Sequence, residues 1–260
     1  MWQRSLGYVG TLACAVLAWG LFAWLGKFPN YILPGPVPVW RTLVQSAPAL
    51  WPHFFATVHE ILGGFALTIV ISIPLALLIA SWEPFERTIY PLIVLLQLIP
   101  KIALAPLFIV WFGFGFQPKI ALVFLLSFFP LVIDSTVGFK SVSPLLLHLA
   151  HTMTDSEWRV FWRIRLPSAL PNIFAGLKVA SAFATVGAIV GEFVGSDRGL
   201  GYMLLRANGD LNTQLLFSIL ILLSLTGIVL YLIIEGLERA CIPWHVSIRR
   251  EVTQVERLRI

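Results

Sequence analysis

Long runs of apolar residues, separated by short polar segments, dominate the chain. Several runs reach the roughly 20 residues that a helix needs to cross a hydrocarbon core about 30 Å thick. The runs are continuously apolar, whereas the strands of a membrane β-barrel alternate apolar with polar residues. The pattern therefore predicts an all-α membrane protein with six transmembrane helices, at about residues 6–25, 57–80, 89–111, 119–139, 171–193 and 214–236.

Composition supports lipid as the solvent of this protein. The 260 residues are 58% hydrophobic and only 12% charged, which is unlike a soluble domain. The net charge of +5 comes with no nucleic-acid-binding motif, so we expect no nucleic-acid partner. Cys14 and Cys241 support neither a disulfide framework nor a thiolate metal site.

Lysine and arginine concentrate at alternate ends of the apolar runs, which predicts an orientation because cytoplasmic loops are enriched in both residues. The loop after the fourth run and the C-terminal tail are the richest segments, and six spans place both on one side. We therefore predict that both termini are cytoplasmic. The basic residues predicted on the opposite side are Lys27, Arg41, Lys119, Arg198 and Arg206.

Three parts follow from this topology. Residues 1–56 hold the first transmembrane helix and a proline-rich external segment, in which 31–40 are not expected to continue a helix. Residues 57–240 form the core transmembrane domain, with a cytoplasmic loop at about 141–167. Residues 241–260 form a cytoplasmic tail.

The third run is irregular, because prolines interrupt it on both sides of Lys101. We predict that this helix bends or breaks near its middle, and broken helices at membrane depth face protein or a cavity. Gln97, Pro100 and Lys101 are therefore candidates for the solute path. A packing kink with Lys101 reaching the headgroups is an equal alternative. The pentapeptide that starts at Pro100 recurs at Pro118, an echo too short to indicate a repeat.

Other polar residues interrupt the apolar runs. Asp134 and Glu192 are acids within predicted spans, which makes them path candidates, although near a helix end either can reach water. His59 and Glu60 lie near a membrane boundary, and our favoured interpretation is that both are polar residues at the headgroup level.

The loop at 141–167 has the pattern of two short amphipathic helices. The first is predicted to begin at Pro144, and the second covers about 156–164, where three aromatic residues accompany Arg159 and Arg163. An exposed amphipathic helical hairpin suits the groove of a protein partner.

This loop resembles the coupling loop of bacterial ABC importer permeases, which carries Glu-Ala-Ala, a glycine about four residues later and a closing Leu-Pro. Leu166-Pro167 matches, but His148, Leu149 and Ala150 occupy the triplet and Thr154 the glycine position. The resemblance implies that this segment binds an ATPase through His148, Ala150, Thr154, Trp158, Phe161, Leu166 and Pro167.

The resemblance extends over nearly the whole chain and is closest to the nitrate, sulfonate, taurine and bicarbonate branch of these permeases. It rests on Leu33-Pro-Gly-Pro36, Ile73-Pro74, 105–115, Phe128-Phe-Pro130, Gly191-Glu-Phe193, Gly199-Leu-Gly-Tyr202 and Ile242-Pro-Trp244. It implies the type I importer permease fold in the bacterial inner membrane. It also implies a homodimer, two ATP-binding subunits, and a periplasmic or lipid-anchored solute-binding protein.

No glycine-rich phosphate loop followed by Lys and Ser or Thr occurs in the sequence, so ATP and Mg²⁺ are expected in the partner ATPase and no cofactor is expected in this chain. We expect alternating access driven by that partner rather than an enzymatic activity. A membrane enzyme would have to use His59, Glu60, Asp134 or Glu192, which lack a recognisable catalytic spacing. A secondary transporter driven by an ion gradient is the alternative. The sequence leaves the solute open between a small anion and a heterocycle resembling a vitamin precursor.

Overall fold

The computed structural model describes residues 2–26, 29, 31–153 and 156–244. Every regular element within these ranges is a helix, which confirms the all-α prediction. The α-helices are α1 (Trp2–Leu25), α2 (Pro36–Ser81), α3 (Glu83–Leu96), α4 (Ala105–Phe112), α5 (Phe116–Lys140), α6 (Pro144–Met153), α7 (Glu157–Val160), α8 (Leu166–Gly195), α9 (Leu200–Gly209) and α10 (Thr213–Cys241).

Four helices of the described chain are long and apolar enough to cross a membrane: α2, α5, the continuous helix formed by α7 and α8, and α10. The α3–α4 pair adds a fifth span if its two bent halves cross together. Helix α1 lies at the position of the first predicted span, and its residues Cys14–Leu25 are apolar. The protein is therefore a multi-pass membrane protein, and the number six stays a prediction.

The second span begins much earlier than the sequence suggested. We expected a helix from residue 57, yet α2 begins at Pro36 and includes Pro48 and Pro52. The expectation that all of 31–40 is non-helical was wrong, because Pro36 occupies the first helical turn, where no N–H has an intrahelical partner.

Helices α2, α5 and α8 form the centre of the bundle, and glycines let them approach closely. A Cβ atom on Gly187 of α8 would lie 2.7 Å from Cα of Val123 in α5, and one on Gly138 of α5 would lie 2.8 Å from the carbonyl oxygen of Ala169 in α8. A Cβ on Gly64 of α2 would also overlap Val123. Larger side chains at these positions would force the three helices apart.

The third span breaks in its middle, as predicted. Helix α3 ends at Leu96, a 3₁₀ turn covers Lys101–Leu104, and α4 leaves at 85° to α3. Nζ of Lys101 donates to the carbonyl oxygen of Gln97 at 3.1 Å and lies 4.5 Å from the ring centre of Phe129 in α5. Lys101 therefore binds a carbonyl that the break leaves exposed.

The two short helices of the predicted hairpin are both present. Helix α6 begins at Pro144, and α7 begins at Glu157, close to the expected starts. The expected end near residue 164 was wrong, because a π-helical turn, Phe161–Arg165, joins α7 to α8 without a break. This wide turn precedes Pro167, whose missing N–H removes one bond of the normal α-helical pattern.

Candidate functional site

One end of the bundle, the hairpin end, carries α6 and α7 with large apolar side chains facing outward. Met153 and Trp158 are 87% and 69% exposed. His148 is exposed as well, whereas Ala150 is buried. We call the exposed apolar residues of this hairpin the docking surface: Leu145, Leu146, Leu149, Met153, Trp158 and Trp162.

The docking surface is attached to the bundle through stacked aromatic rings. Trp158 stacks on Phe161, with ring centres 6.2 Å apart, and Phe161 stacks on Phe139 of α5 at 6.4 Å. Val160 is buried beneath them. Leu166 and Pro167 are half-buried in the continuous helix that follows, and Thr154 lies outside the described residues. The hairpin is thus anchored on α5 and α8 while its outer face stays open.

At the opposite end of α8, which we call the distal end, a carboxyl group is buried within the bundle. Glu192 is 1% exposed, and its carboxylate accepts hydrogen bonds from Oγ1 of Thr57 at 2.6 Å and from the backbone N–H of Gly201. Gly201 belongs to the first turn of α9, whose N–H groups have no intrahelical partners. The backbone N–H groups at the N-terminus of α9 are therefore directed at the Glu192 carboxyl group.

The backbone before α9 continues the same network. The N–H of Leu200 donates to Oγ1 of Thr57 at 2.8 Å, and the N–H of Gly199 donates to Nδ1 of His53 at 3.0 Å. Gly199 has a φ of +116°, and a Cβ on Gly199 or Gly201 would overlap the Glu192 carboxylate. Because neither Gly199 nor Gly201 carries a side chain, the Glu192 carboxyl group can approach the N-terminal end of α9.

A buried ion pair lies beside Glu192. Nζ of Lys119 in α5 donates to the carboxylate of Glu60 in α2 at 2.6 Å and to Oγ of Ser196 at 2.6 Å. We call Thr57, Glu60, Lys119, Glu192 and Ser196 the distal cluster.

The distal cluster places two acids differently from what the sequence suggested. Lys119 holds Glu60 inside the bundle at 2% exposure, whereas His59 is exposed, and the headgroup level of these two residues stays a prediction. Glu192 does not reach water. Sequence reasoning missed Thr57 and Lys119, and the available signal was the presence of opposite charges, Glu60 and Lys119, in two apolar runs.

An open cavity of about 790 Å³ adjoins the distal cluster. Phe114 and Phe116 form part of its wall, and Lys119, Ser196 and Arg198 supply polar groups. Arg198 lies 3.4 Å from the carboxylate of Asp197, and this hydrogen bond lowers the pKa of Asp197. Within the described residues, no group of three His, Cys, Asp or Glu side chains is placed to hold a metal ion.

The predicted path residues do not form one site in the described structure. Gln97 and Lys101 contact each other at the break of the third span, where Pro100 is exposed. Asp134 is half-buried against Gly176 of α8, and no contact described joins it to Lys101 or to the distal cluster. Only Glu192 belongs to a buried polar network.

Comparisons with known proteins agree with this architecture. Residues 69–243 match the family model described as the inner membrane component of binding-protein-dependent transport systems. The formylaminopyrimidine transport permease ThiX of Halalkalibacterium halodurans is 40% identical, over 83% of this chain and 86% of its own length. The riboflavin transport permease RibX of Chloroflexus aurantiacus is 35% identical, over 94% and 91%.

Two further similarities support the same assignment. The taurine transport permease TauC of Escherichia coli is 28% identical, over 93% of this chain and 90% of its own length. A solved structure of the MetNI methionine ABC transporter in an inward-facing conformation has a TM-score of 0.65 and 18% identity, over 75% of this chain and 98% of the matched chain, which shows the shared fold. The chain therefore belongs to the inner-membrane permease family of binding-protein-dependent ABC transporters, as its resemblance to the taurine and sulfonate branch indicated.

Proposed function

We propose that this chain is the permease subunit of an ABC importer that moves a small solute into the cytoplasm by alternating access. The observation that carries the proposal is the docking surface. Large apolar side chains are exposed there on a hairpin attached to a continuous membrane-spanning helix. An exposed apolar patch of this kind is typical of a protein interface.

The partner that fits the docking surface is a separate ATP-binding subunit with Mg²⁺–ATP. Arg159 and Arg163 accompany the exposed Trp158 and Trp162, and arginine with aromatic residues is the composition enriched at interfaces. His148, Thr154 and Leu166-Pro167 belong to the same coupling segment in this proposal. Six spans with both termini in the cytoplasm would place that segment on the cytoplasmic side.

The complete importer contains two copies of this chain, two ATP-binding subunits, and a solute-binding protein outside the membrane. These numbers follow the resemblance of the chain to importer permeases. ATP binding would alternately close and open the two ATPase subunits, and the hairpins would transmit that movement to the membrane helices. The permease itself contributes no chemical step.

The solute is a small sulfonate of the taurine type or a heterocycle of the formylaminopyrimidine or riboflavin type, as the names of similar permeases suggest. The proposed path includes the broken third span, with Gln97, Pro100 and Lys101, and continues past Asp134. Lys101 provides the positive charge along this path, so Lys101→Ala should reduce uptake if the solute is a sulfonate such as taurine and leave uptake unchanged if the solute is uncharged riboflavin.

Capture of the candidate ATPase by detergent-solubilised permease tests the docking surface. Trp158→Ala should reduce the captured ATPase at least tenfold, because truncating a central interface tryptophan costs about 2 kcal/mol or more of binding free energy. Trp82→Ala is the matched control, since Trp82 is also exposed but lies between α2 and α3. Equal capture by both variants and the native chain would remove this hairpin as the ATPase site.

A further inference from the structure

The continuous helix formed by α7 and α8 connects the hairpin end of the molecule with its distal end. It extends for 39 residues, from Glu157 to Gly195. At about 1.5 Å per residue, this corresponds to about 60 Å. Trp158 of the docking surface lies in its first turn, and Glu192 of the distal cluster lies in its last. A displacement of the hairpin therefore reaches the distal end through one uninterrupted helix.

At the distal end, this helix is joined to three other helices. Glu192 accepts from Thr57 of α2 and from Gly201 of α9, and Ser196, directly after α8, accepts from Lys119 of α5. Lys119 also pairs with Glu60 of α2. All these groups except half-buried Ser196 are buried, and hydrogen bonds to charged groups are stronger there than in water.

We propose that the distal cluster makes the distal ends of α2, α5 and α9 move together with α8, so that displacement of the docking surface changes the solute entrance. Thr57 and Glu192 are positioning residues in this mechanism, since they act through α2 and α9 rather than on the solute. The inference rests on the proposed importer function. In this proposal, the distal cluster transmits movement of the ATPase-binding hairpin to helices at the other end of the molecule.

The chain offers a closely matched control for Thr57. Thr68 lies on the same helix, is fully buried like Thr57, and donates to the backbone carbonyl of Gly64 at 2.8 Å. Its hydroxyl also bonds Ser127 of α5 at 2.7 Å, whereas that of Thr57 bonds Glu192 of α8 at 2.6 Å. Thr57→Val removes two buried bonds to other helices, to Glu192 of α8 and from Leu200 of α9, and Thr68→Val removes one, to Ser127 of α5. Only Thr57→Val removes the direct hydrogen bond between α2 and α8 at the distal end.

The experiment measures how fast a buried cysteine reacts with a membrane-impermeant maleimide. Ile61 is 1% exposed on α2, one turn beyond Thr57, and the reporter is Ile61→Cys in a chain carrying Cys14→Ser and Cys241→Ser. Labelling is followed in the reconstituted complex with the ATPase, with and without a non-hydrolysable ATP analogue. Thermal unfolding of each variant is measured in parallel.

We expect Ile61→Cys to stay protected in both nucleotide states in the otherwise native chain and in the Thr68→Val variant. In the Thr57→Val variant, the analogue should accelerate labelling about tenfold, because α8 then moves without α2. Equal labelling of the Thr57→Val and Thr68→Val variants with the analogue, whether slow or fast, would overturn the proposal. If Thr57→Val does not fold, Glu192→Leu replaces it with the same expected result, since an apolar side chain cannot accept the hydrogen bond from Thr57.

Failure of the importer function gives a different result. A native chain that neither binds the ATPase nor supports its ATP hydrolysis would contradict the proposed function. A native complex that hydrolyses ATP normally, with equal labelling of the two threonine variants, would contradict only the transmission role of the distal cluster.

Discussion

Helix α5 has a lysine near each end, and each lysine pairs with a glutamate of a neighbouring helix, but the two pairs have opposite environments. The side chains of Lys119 and Glu60, at the distal end, are 5% and 2% exposed. The side chains of Lys140 and Glu86, at the hairpin end, are 42% and 31% exposed. The same chemical pair is thus part of the interior at one end and of the surface at the other.

The difference follows from what covers each pair. Residues after α8 fold over Lys119, since Ser196 accepts from its ammonium group and Glu192 lies beside Glu60. At the hairpin end, no comparable network is described around Lys140, and water remains in contact with both charges. Burial makes the loss of one partner costly, whereas water compensates that loss at the surface.

The largest effect is expected from breaking the buried pair. Lys119→Met leaves the carboxylate of Glu60 without its cation, and removing one partner of a buried pair destabilises a protein by about 3–5 kcal/mol. The free energy of unfolding in detergent should fall accordingly, or the purified yield should collapse.

The double variant Lys119→Met, Glu60→Leu is the control for this prediction. It removes both charges, and we expect it to recover most of the lost stability, because no uncompensated charge remains. A double variant as unstable as Lys119→Met would contradict the assignment of the effect to an unpaired buried carboxylate.

An intermediate effect is expected from Gly201→Ala. The added methyl group would lie 2.7 Å from Oε2 of Glu192 and 3.0 Å from its Cβ, so the distal cluster must shift. Overpacking of this kind costs about 1–3 kcal/mol, to be measured as a lower free energy of unfolding. Gly209→Ala in the same helix is the control, since a methyl group added there would meet no described atom within 4 Å. Similar losses for both variants would show that α9 responds to any added side chain.

The smallest effect is expected from breaking the exposed pair. Lys140→Met should change the free energy of unfolding by about 0–1 kcal/mol, and added salt should reduce even this difference. The measurement is thermal or denaturant unfolding at low and high salt, alongside Lys119→Met. If Lys140→Met lowered the free energy of unfolding as much as Lys119→Met, the exposed and the buried pair would contribute equally, against our expectation.

The hydrophobic pattern was sufficient for much of the fold. Apolar runs predicted the central helices, and the prolines around Lys101 predicted the break in the third span, because both signals are local in sequence. Two prolines did not mark helix boundaries in the way the sequence suggested. Pro36 lies in the first turn of α2, and Pro167 follows a π-helical turn, and both places accommodate a residue without an N–H group. The extents of α2 and α8 could not be predicted for that reason.

The distal cluster could be predicted only in part. The pentapeptide Pro-Lys-Ile-Ala-Leu occurs twice, yet Lys101 lies in a 3₁₀ turn and binds a backbone carbonyl, whereas Lys119 lies in α5 and pairs with Glu60. Identical local sequence therefore leads to different roles, because the partners come from distant parts of the chain. Glu192 was recognisable as an unusual acid, but its partners Thr57 and Gly201 depend on the packing of three helices.

ATP-dependent uptake into proteoliposomes tests whether this chain is the permease of an ABC importer. The vesicles contain this chain with its ATP-binding subunits, the solute-binding protein is outside, ATP is inside, and taurine, riboflavin and formylaminopyrimidine are offered in turn. We expect that one of these solutes enters only with ATP, and that inactivating the nucleotide site of the ATPase abolishes its entry. Uptake that continues without ATP and follows an imposed ion gradient would contradict the importer assignment and favour a secondary transporter.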